Sequence, residues 1–193
     1  MLESLKFHLK PSIFESEKIL ILNPEFLEFE TVNFSKLEIA ELRYGIRAIK
    51  GYRFRIGRIY CIDIKSLSGE IIKIRLKSVY RVRRVYLGKK FKEIVEAILA
   101  NYINDISKDY FQRFKNKNEF NILGNIFKQE GIVLDKTVDI IPWTDLGTKN
   151  YLTYYSLFSK ANPNLYRSFT YLLDWNTIVL YSVSRSILKQ KGI

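Results

Sequence analysis

The sequence predicts an α+β protein made of two strand-rich antiparallel units, each closed by a C-terminal amphipathic helix. Short alternating apolar segments, separated by turn residues, fill most of each half. Apolar residues then follow the i, i+3, i+4, i+7 rule over Phe91–Ile103 and again from Trp175 to about Gln190. The two helices would start at Lys89 and Trp175, about 86 residues apart, which indicates two copies of one structural unit.

The first unit is predicted over residues 1–107. Turn residues at Asn23–Glu25 and Ser66–Gly69 separate its apolar runs and favour hairpins. The expected strands are Lys6–Leu9, Lys18–Leu22, Phe26–Glu30, Leu37–Ile49, Tyr52–Lys65 and Glu70–Tyr86.

The second unit is predicted over residues 108–193. Its first residues belong to a polar segment, Ser107–Glu119, that is expected to prolong the first helix and then to link the halves. The expected strands are Phe120–Leu123, Ile132–Leu134, Val138–Trp143, Tyr151–Phe158 and Arg167–Leu173. Asp174 is typical of an N-cap for the final helix. The two units form independent domains or share one core.

This order of short antiparallel strands and one closing helix resembles the pleckstrin-homology-like (PH-like) superfold, in tandem. The stretches that carry the resemblance are Lys18–Leu22, Phe26–Glu30 and Phe91–Ile103, then Gly131–Leu134, Ile141–Trp143 and Asp174–Asn176. The resemblance implies a binding module, the role of most bacterial members. Lys50, Arg53 and Arg55 resemble the basic pattern of phosphoinositide-binding members, although they fall later in the unit than that pattern does.

The chain is basic, with 32 Lys and Arg against 20 Asp and Glu among 193 residues and a formal charge of +12. The excess is spread over both halves. It favours anionic partners, either nucleic acid or lipid headgroups, or else serves only solubility. Cys61 and His8 are the only cysteine and histidine, which excludes disulfides within the chain and zinc sites built on either residue type. We expect no cofactor.

We expect a cytoplasmic protein. The first residues contain no apolar core of signal-peptide length. The longest apolar runs, Ile19–Leu22 and Ala97–Ala100, are far shorter than the roughly 20 residues that a membrane-spanning helix needs.

A row of basic residues is the most informative functional feature. If Glu70–Tyr86 is one strand, its apolar residues share one face and its basic residues the other. Basic residues of the preceding segment would widen this row into an anion-binding patch, unless the row is an ordinary solvated face. The candidates are Lys50, Arg53, Arg55, Arg58, Lys73, Arg75, Lys77, Arg81 and Arg83.

Two other hypotheses use different residues. Asp63 and Lys65 form an acid-x-Lys element that resembles part of the PD-(D/E)xK nuclease motif, with Glu38 or Glu41 as the second acid, and implies a metal-dependent nuclease.

Aromatic residues of the second half suggest a contact surface for a protein partner or a second copy, or simply core packing. These are Trp143, Tyr151, Tyr154 and Tyr155. Since no catalytic motif stands out, we expect a non-enzymatic binding or scaffold module.

Overall fold

The computed structural model describes residues 4–12 and 14–193. The chain divides into two compact units, of which the first ends at Ile103 and the second spans Asn104–Ile193. The strands form four small antiparallel sheets, two in each unit. Within the described residues, no helix combines the length and apolar character that a membrane span requires.

The first unit contains seven described strands and one helix. A sheet in chain order is formed by β1 (Leu5–Leu9), β2 (Lys18–Leu22), β3 (Phe26–Phe29) and β4 (Val32–Ser35). A three-residue 3₁₀ turn, Lys36–Glu38, leads into the second sheet, formed by β5 (Ile39–Lys50), β6 (Arg55–Ser66) and β7 (Ile71–Val79). Helix α1 (Arg84–Ile98) follows and ends in a π-helical turn, Leu99–Ile103.

The second sheet packs against α1 because its apolar residues alternate along each strand. Ile72, Ile74 and Leu76 on β7 are all buried, and burial of each such side chain stabilises the fold by about 1.5–3 kcal/mol. Tyr60 on β6 packs against Phe91 on α1, with ring centroids 5.4 Å apart. Helix α1 is therefore held on this sheet, and its N-terminus has a fixed position there.

A buried tyrosine connects the π-helical turn to the first sheet. Tyr102 is 2% exposed, and its hydroxyl donates to the backbone oxygens of Asn23 and Phe26, each at 2.8 Å. These two carbonyls flank the turn between β2 and β3. Burial raises the pKa of Tyr102, so the phenol stays neutral and keeps donating.

The predicted single strand Glu70–Tyr86 is wrong in its second half. Strand β7 ends at Val79, and three residues of the next four, Tyr80, Arg81 and Arg83, adopt left-handed backbone angles. Such angles cannot continue a strand, so the chain turns and enters α1 at Arg84. The helix therefore begins earlier than Lys89, where the sequence placed it.

The second unit has two small sheets and two helices. It begins with α2 (Asn104–Lys115), followed by a sheet of β8 (Phe120–Ile122), β9 (Asn125–Phe127), β10 (Gly131–Val133) and β11 (Ile140–Pro142). The other sheet contains β12 (Leu146–Asn150), β13 (Tyr154–Ser159) and β14 (Tyr166–Thr170), and α3 (Thr177–Gln190) ends the unit. Its core includes Trp143, whose ring meets Phe114 edge-on with centroids 5.6 Å apart.

The predicted fold class, two units each closed by its own C-terminal helix in a PH-like tandem, is wrong. Helical residues run without a break from Arg84 to Lys115, so the second unit opens with a helix as well as ending with one. The predicted boundary after residue 107 falls inside α2. The helix continues because Asn104–Lys115 still presents an inner side, on which Ser107 and Phe114 are buried.

We predict that Tyr102→Phe loosens the first unit. The substitution removes one buried hydroxyl that serves two carbonyls, which corresponds to about 1–2 kcal/mol of unfolding free energy. Native-state hydrogen exchange of the β2 amides would measure the loss. Tyr52→Phe is the control, because Tyr52 is 96% exposed. Equal amide protection in the two variants would contradict a stabilising role for the Tyr102 hydroxyl.

Candidate anion-binding site

An open cleft of about 540 Å³ lies where β6 begins and β7 ends in the first unit. Four of the nine described residues that line it are arginines, and none of the nine is Asp or Glu. We call it the arginine cleft. Its residues are Phe54, Arg55, Ile56, Gly57, Arg58, Ser78, Tyr80, Arg81 and Arg84.

A close approach of two strands forms the floor of the arginine cleft. In the β6–β7 register, Gly57 lies opposite Val79, and Arg58 lies opposite Ser78. A Cβ atom added to Gly57 would lie 2.3 Å from the backbone oxygen of Ser78. No other residue type fits there without moving β7, so Gly57 allows β7 to lie against Arg58.

The turn after β7 positions Arg81. The Tyr80 amide donates to the Ile56 oxygen at 2.8 Å, and the Ser78 hydroxyl donates to the Val82 oxygen at 2.9 Å. Between these two bonds, Tyr80 and Arg81 have φ angles of 47° and 64°. Left-handed angles cost a residue with a side chain roughly 1–2 kcal/mol, and such strain is concentrated at functional sites.

The start of α1 positions Arg84. The buried Tyr60 hydroxyl donates to the Arg84 backbone oxygen at 3.0 Å, and a Cβ added to Gly88 would lie 3.2 Å from that hydroxyl. Arg83, the N-cap residue, makes no side-chain capping bond, and the first turn contains no acidic residue. The positive end of the helix dipole is therefore not compensated by its own sequence beside the arginine cleft.

The four arginines of the cleft have no partners in the part of the chain that the structure describes. The side chains of Arg55, Arg58, Arg81 and Arg84 make no hydrogen bond or ion pair with any described residue. Lys50 faces Arg55 directly across the β5–β6 register, which adds a like charge. Like charges placed opposite each other destabilise a strand pair, and an anion bound among them would remove that cost.

The predicted basic row is divided among different environments. Arg75 forms an ion pair with Asp63 at 2.5 Å, and Lys77 forms one with Glu15 at 2.9 Å. Lys73 lines a smaller cleft, of about 220 Å³, with Arg75, Lys77 and Glu15. Strand β7 ends at Val79, so Arg81 and Arg83 do not extend this row. The prediction that all five basic residues of Glu70–Tyr86 project together from one strand is therefore wrong.

Three other predicted basic residues lie outside the lining of the arginine cleft. Arg53 is in the loop between β5 and β6, with its guanidinium carbon 5.6 Å from the centre of the Tyr52 ring. Arg83 donates to the Lys10 backbone oxygen at 3.3 Å. Lys50 ends β5. The structure thus brings together Arg55, Arg58 and Arg81 from the predicted set.

Sequence reasoning missed Arg84 and the lining residues Gly57, Ser78 and Tyr80. Arg84 directly follows Arg83 in the sequence, but the assumed strand directed it away from the basic face. Only the turn at Tyr80–Arg83 brings Arg84 back to the start of β6. The one available signal was the cluster of three arginines within Arg81–Arg84, which only Val82 interrupts.

The predicted interface aromatics separate into buried and exposed residues. Trp143 and Tyr155 are 3% and 1% exposed, and the Trp143 indole donates to the backbone oxygens of Lys128 and Gln129. Only Tyr151 and Tyr154 reach the surface, where their rings stack with centroids 4.4 Å apart.

Both charged residues of the acid-x-Lys element form ion pairs within the first unit. Asp63 is 4% exposed, and its carboxylate lies 2.9 Å from Arg43 and 2.5 Å from Arg75. Lys65 pairs with Glu41. Among the described residues, no group of three His, Cys, Asp or Glu side chains is placed to hold a metal ion. This geometry gives the nuclease hypothesis no support.

We predict that Tyr86, on the first turn of α1, ionises below the ordinary tyrosine value of 10.0. A hydrogen bond from Lys90 and the charges of Lys90 and Arg83 favour the phenolate and lower the pKa of Tyr86. NMR titration of ¹³C-labelled tyrosine would follow it. Lys90→Ala should raise this pKa, and Lys89→Ala, on the exposed side of the helix, should leave it unchanged. A Tyr86 pKa that ignores both substitutions would contradict this assignment.

Comparison of the chain with protein-family models, with curated proteins and with solved structures found no match. No family or structural neighbour identifies the PH-like fold that the sequence resembles. The function is therefore inferred from the arginine cleft itself.

Proposed function

We propose that this chain is a non-enzymatic binding module that holds a phosphate-bearing ligand in the arginine cleft. The observation that carries the proposal is the set of four guanidinium groups around one cleft, all without a partner among the described residues. Elsewhere in the same unit, Arg43 and Arg75 share a carboxylate. Arg55, Arg81 and Arg84 are exposed to water, so the absence of a carboxylate costs each of them little. An external anion bound among the four would relieve their mutual repulsion.

Phosphate is the anion that suits these groups best. The planar guanidinium donates two parallel hydrogen bonds to phosphate oxygens, and several arginines around one concave site can share a single phosphate. The uncompensated N-terminus of α1 adds a favourable field for an anion. The net charge of +12 would attract such a ligand from a distance.

The arginine cleft offers hydrogen-bond donors rather than a nucleophile with a base. The Ser78 side chain is buried and its hydroxyl is used in the turn, where it donates to Val82. The arginines remain charged at all physiological pH values and do not transfer protons. This composition favours binding over reaction.

We predict that Arg58→Ala/Arg81→Ala weakens binding of inorganic tripolyphosphate at least roughly tenfold, because hydrogen bonds to charged groups contribute about 1.5–3 kcal/mol each. Isothermal titration calorimetry at low salt would measure it. Arg58→Lys/Arg81→Lys should weaken binding less, since lysine keeps the positive charge but lacks the two parallel N–H donors of the guanidinium.

The matched control is Lys89→Ala/Lys92→Ala, which also removes two positive charges from the first unit. These side chains are 80% and 75% exposed and lie outside the arginine cleft. The control should bind tripolyphosphate like the unmodified protein. Equal losses of affinity in the two double variants would show that only net charge matters. Absence of tripolyphosphate binding by the unmodified protein would contradict the proposed function.

A second candidate function is a protein contact through the loop between β12 and β13. Leu152 is 96% exposed, and the stacked pair Tyr151 and Tyr154 flanks it. Exposed apolar and aromatic side chains of this kind are enriched at protein interfaces. The loop suits a protein partner or a second copy of the chain.

If this loop joins two copies, Leu152→Ser/Tyr151→Ser should return the assembly to a single chain of 22.9 kDa. Because the contact is apolar, a salt series should leave the assembly unchanged. Multi-angle light scattering measures both. A molar mass of one chain at every concentration of the unmodified protein would exclude the second copy as the partner.

A further inference from the structure

Two exposed aromatic rings line the arginine cleft, and two more lie within two residues of its lining along the chain. Phe54 and Tyr80 line it and are 66% and 73% exposed. Tyr52 lies two residues before Phe54 and is 96% exposed, and Tyr86 on the first turn of α1 is 50% exposed. The exposure of Phe54 and Tyr80 beside four arginines needs a reason, because side chains of this size normally bury their faces.

The rings alternate with arginines along the chain. The order Tyr52, Arg53, Phe54, Arg55 occupies the loop between β5 and β6 and the first residue of β6. Tyr80 and Arg81 repeat this pairing in the turn after β7. Tyr52, Phe54 and Tyr80 therefore each have an arginine as a chain neighbour, so that charge and aromatic surface are presented together.

A single strand of nucleic acid matches both features. Its phosphates suit guanidinium forks, and its unpaired bases have flat faces that stack on aromatic side chains, each stack contributing about 1–3 kcal/mol. A duplex keeps its bases stacked on one another and offers no such faces. The cleft volume of about 540 Å³ is in the range of sites that hold one small molecule, which suits one nucleotide unit.

An anionic membrane surface explains the exposed rings less well. Insertion into lipid needs a continuous apolar surface, whereas the rings here are separated by charged side chains in the sequence. Val82 and Val85 are also exposed, at 51% and 87%, and they are the residues that a membrane would use. The experiment below therefore includes a vesicle arm.

We propose that the arginine cleft binds single-stranded nucleic acid, with backbone phosphates on Arg55, Arg58, Arg81 and Arg84 and a base stacked on Phe54 or Tyr80. This inference rests on the proposed phosphate-binding function and names its ligand class. The proposed contacts are to phosphates and to the face of a base, so the binding is expected to tolerate any sequence.

The test is fluorescence anisotropy with labelled oligo(dT) and oligo(U) of about 15 nucleotides, at several salt concentrations. Phe54→Leu/Tyr80→Leu keeps apolar surface but removes both rings, and it should weaken oligonucleotide binding by about 5- to 150-fold. Phe54→Tyr/Tyr80→Phe keeps both positions aromatic and should bind oligonucleotides like the unmodified protein. The matched control is Tyr166→Leu on β14, because Tyr166 is 64% exposed and lies in the second unit.

Salt dependence separates the two kinds of contact. Arg58→Ala/Arg81→Ala removes two phosphate contacts and should reduce the slope of log affinity against log salt by about 1.4. The ring variants should leave this slope unchanged and should bind tripolyphosphate like the unmodified protein.

The outcomes distinguish this inference from the proposed function. Oligonucleotide affinity that is unchanged in Phe54→Leu/Tyr80→Leu, while tripolyphosphate binding still depends on Arg58 and Arg81, overturns the nucleic-acid inference alone. Binding to vesicles of phosphatidylcholine and phosphatidylserine without binding to oligonucleotides overturns it in favour of a membrane. Absence of binding to oligonucleotides, vesicles and tripolyphosphate overturns both proposals.

Discussion

The contact between β6 and β7 at Gly57 determines where the arginines of the cleft lie. With a Cβ only 2.3 Å from the Ser78 oxygen, any other residue at position 57 would push the end of β7 outward. The bond from the Tyr80 amide to Ile56 and the turn that starts there would lose their anchor. A strand, a turn and a helix supply the cationic groups, and only this close approach makes them neighbours. The geometry of the site therefore depends on one backbone contact more than on any single arginine.

The first unit separates its charges into a paired region and an unpaired one. Asp63, Glu15 and Glu41 each pair with a basic residue on a strand of the second sheet. Burying the Asp63 carboxylate is tolerated because two guanidinium groups flank it, and removing either would leave buried charge uncompensated. At the end of the same sheet the lining of the cleft contains no acidic residue to do this. The lining of the cleft consequently concentrates positive charge without a carboxylate of its own.

Sequence periodicity predicted most of the strands and both helical regions, because burial on one side imposes a regular spacing on each element, but it missed β4, β9 and β12. It failed after Val79, where Tyr80, Arg81, Val82 and Arg83 continue the strand alternation although the backbone turns. In a sequence, turns are normally recognised by Gly, Asn, Asp or Pro, and this turn contains none of these residues. The ion pair between Asp63 and Arg43 could not be predicted from the sequence either, since it depends on the strand register that places the two residues opposite each other. Three of the four cleft arginines were still predicted, because basic charge in a half-exposed strand is visible without knowledge of the turn.

Three locally unfavourable features coincide at the arginine cleft. Tyr80 and Arg81 have strained backbone angles, the arginines repel one another without a carboxylate, and Phe54 and Tyr80 expose large rings to water. Each of these lowers the stability of the unbound fold, whereas Asp63, Glu15 and Glu41 are paired with basic residues elsewhere in the first unit. Stable proteins break such rules mainly where function requires it. A ligand that carries both negative charge and flat aromatic surface would relieve the second and third costs together, whereas a simple anion would relieve only the second.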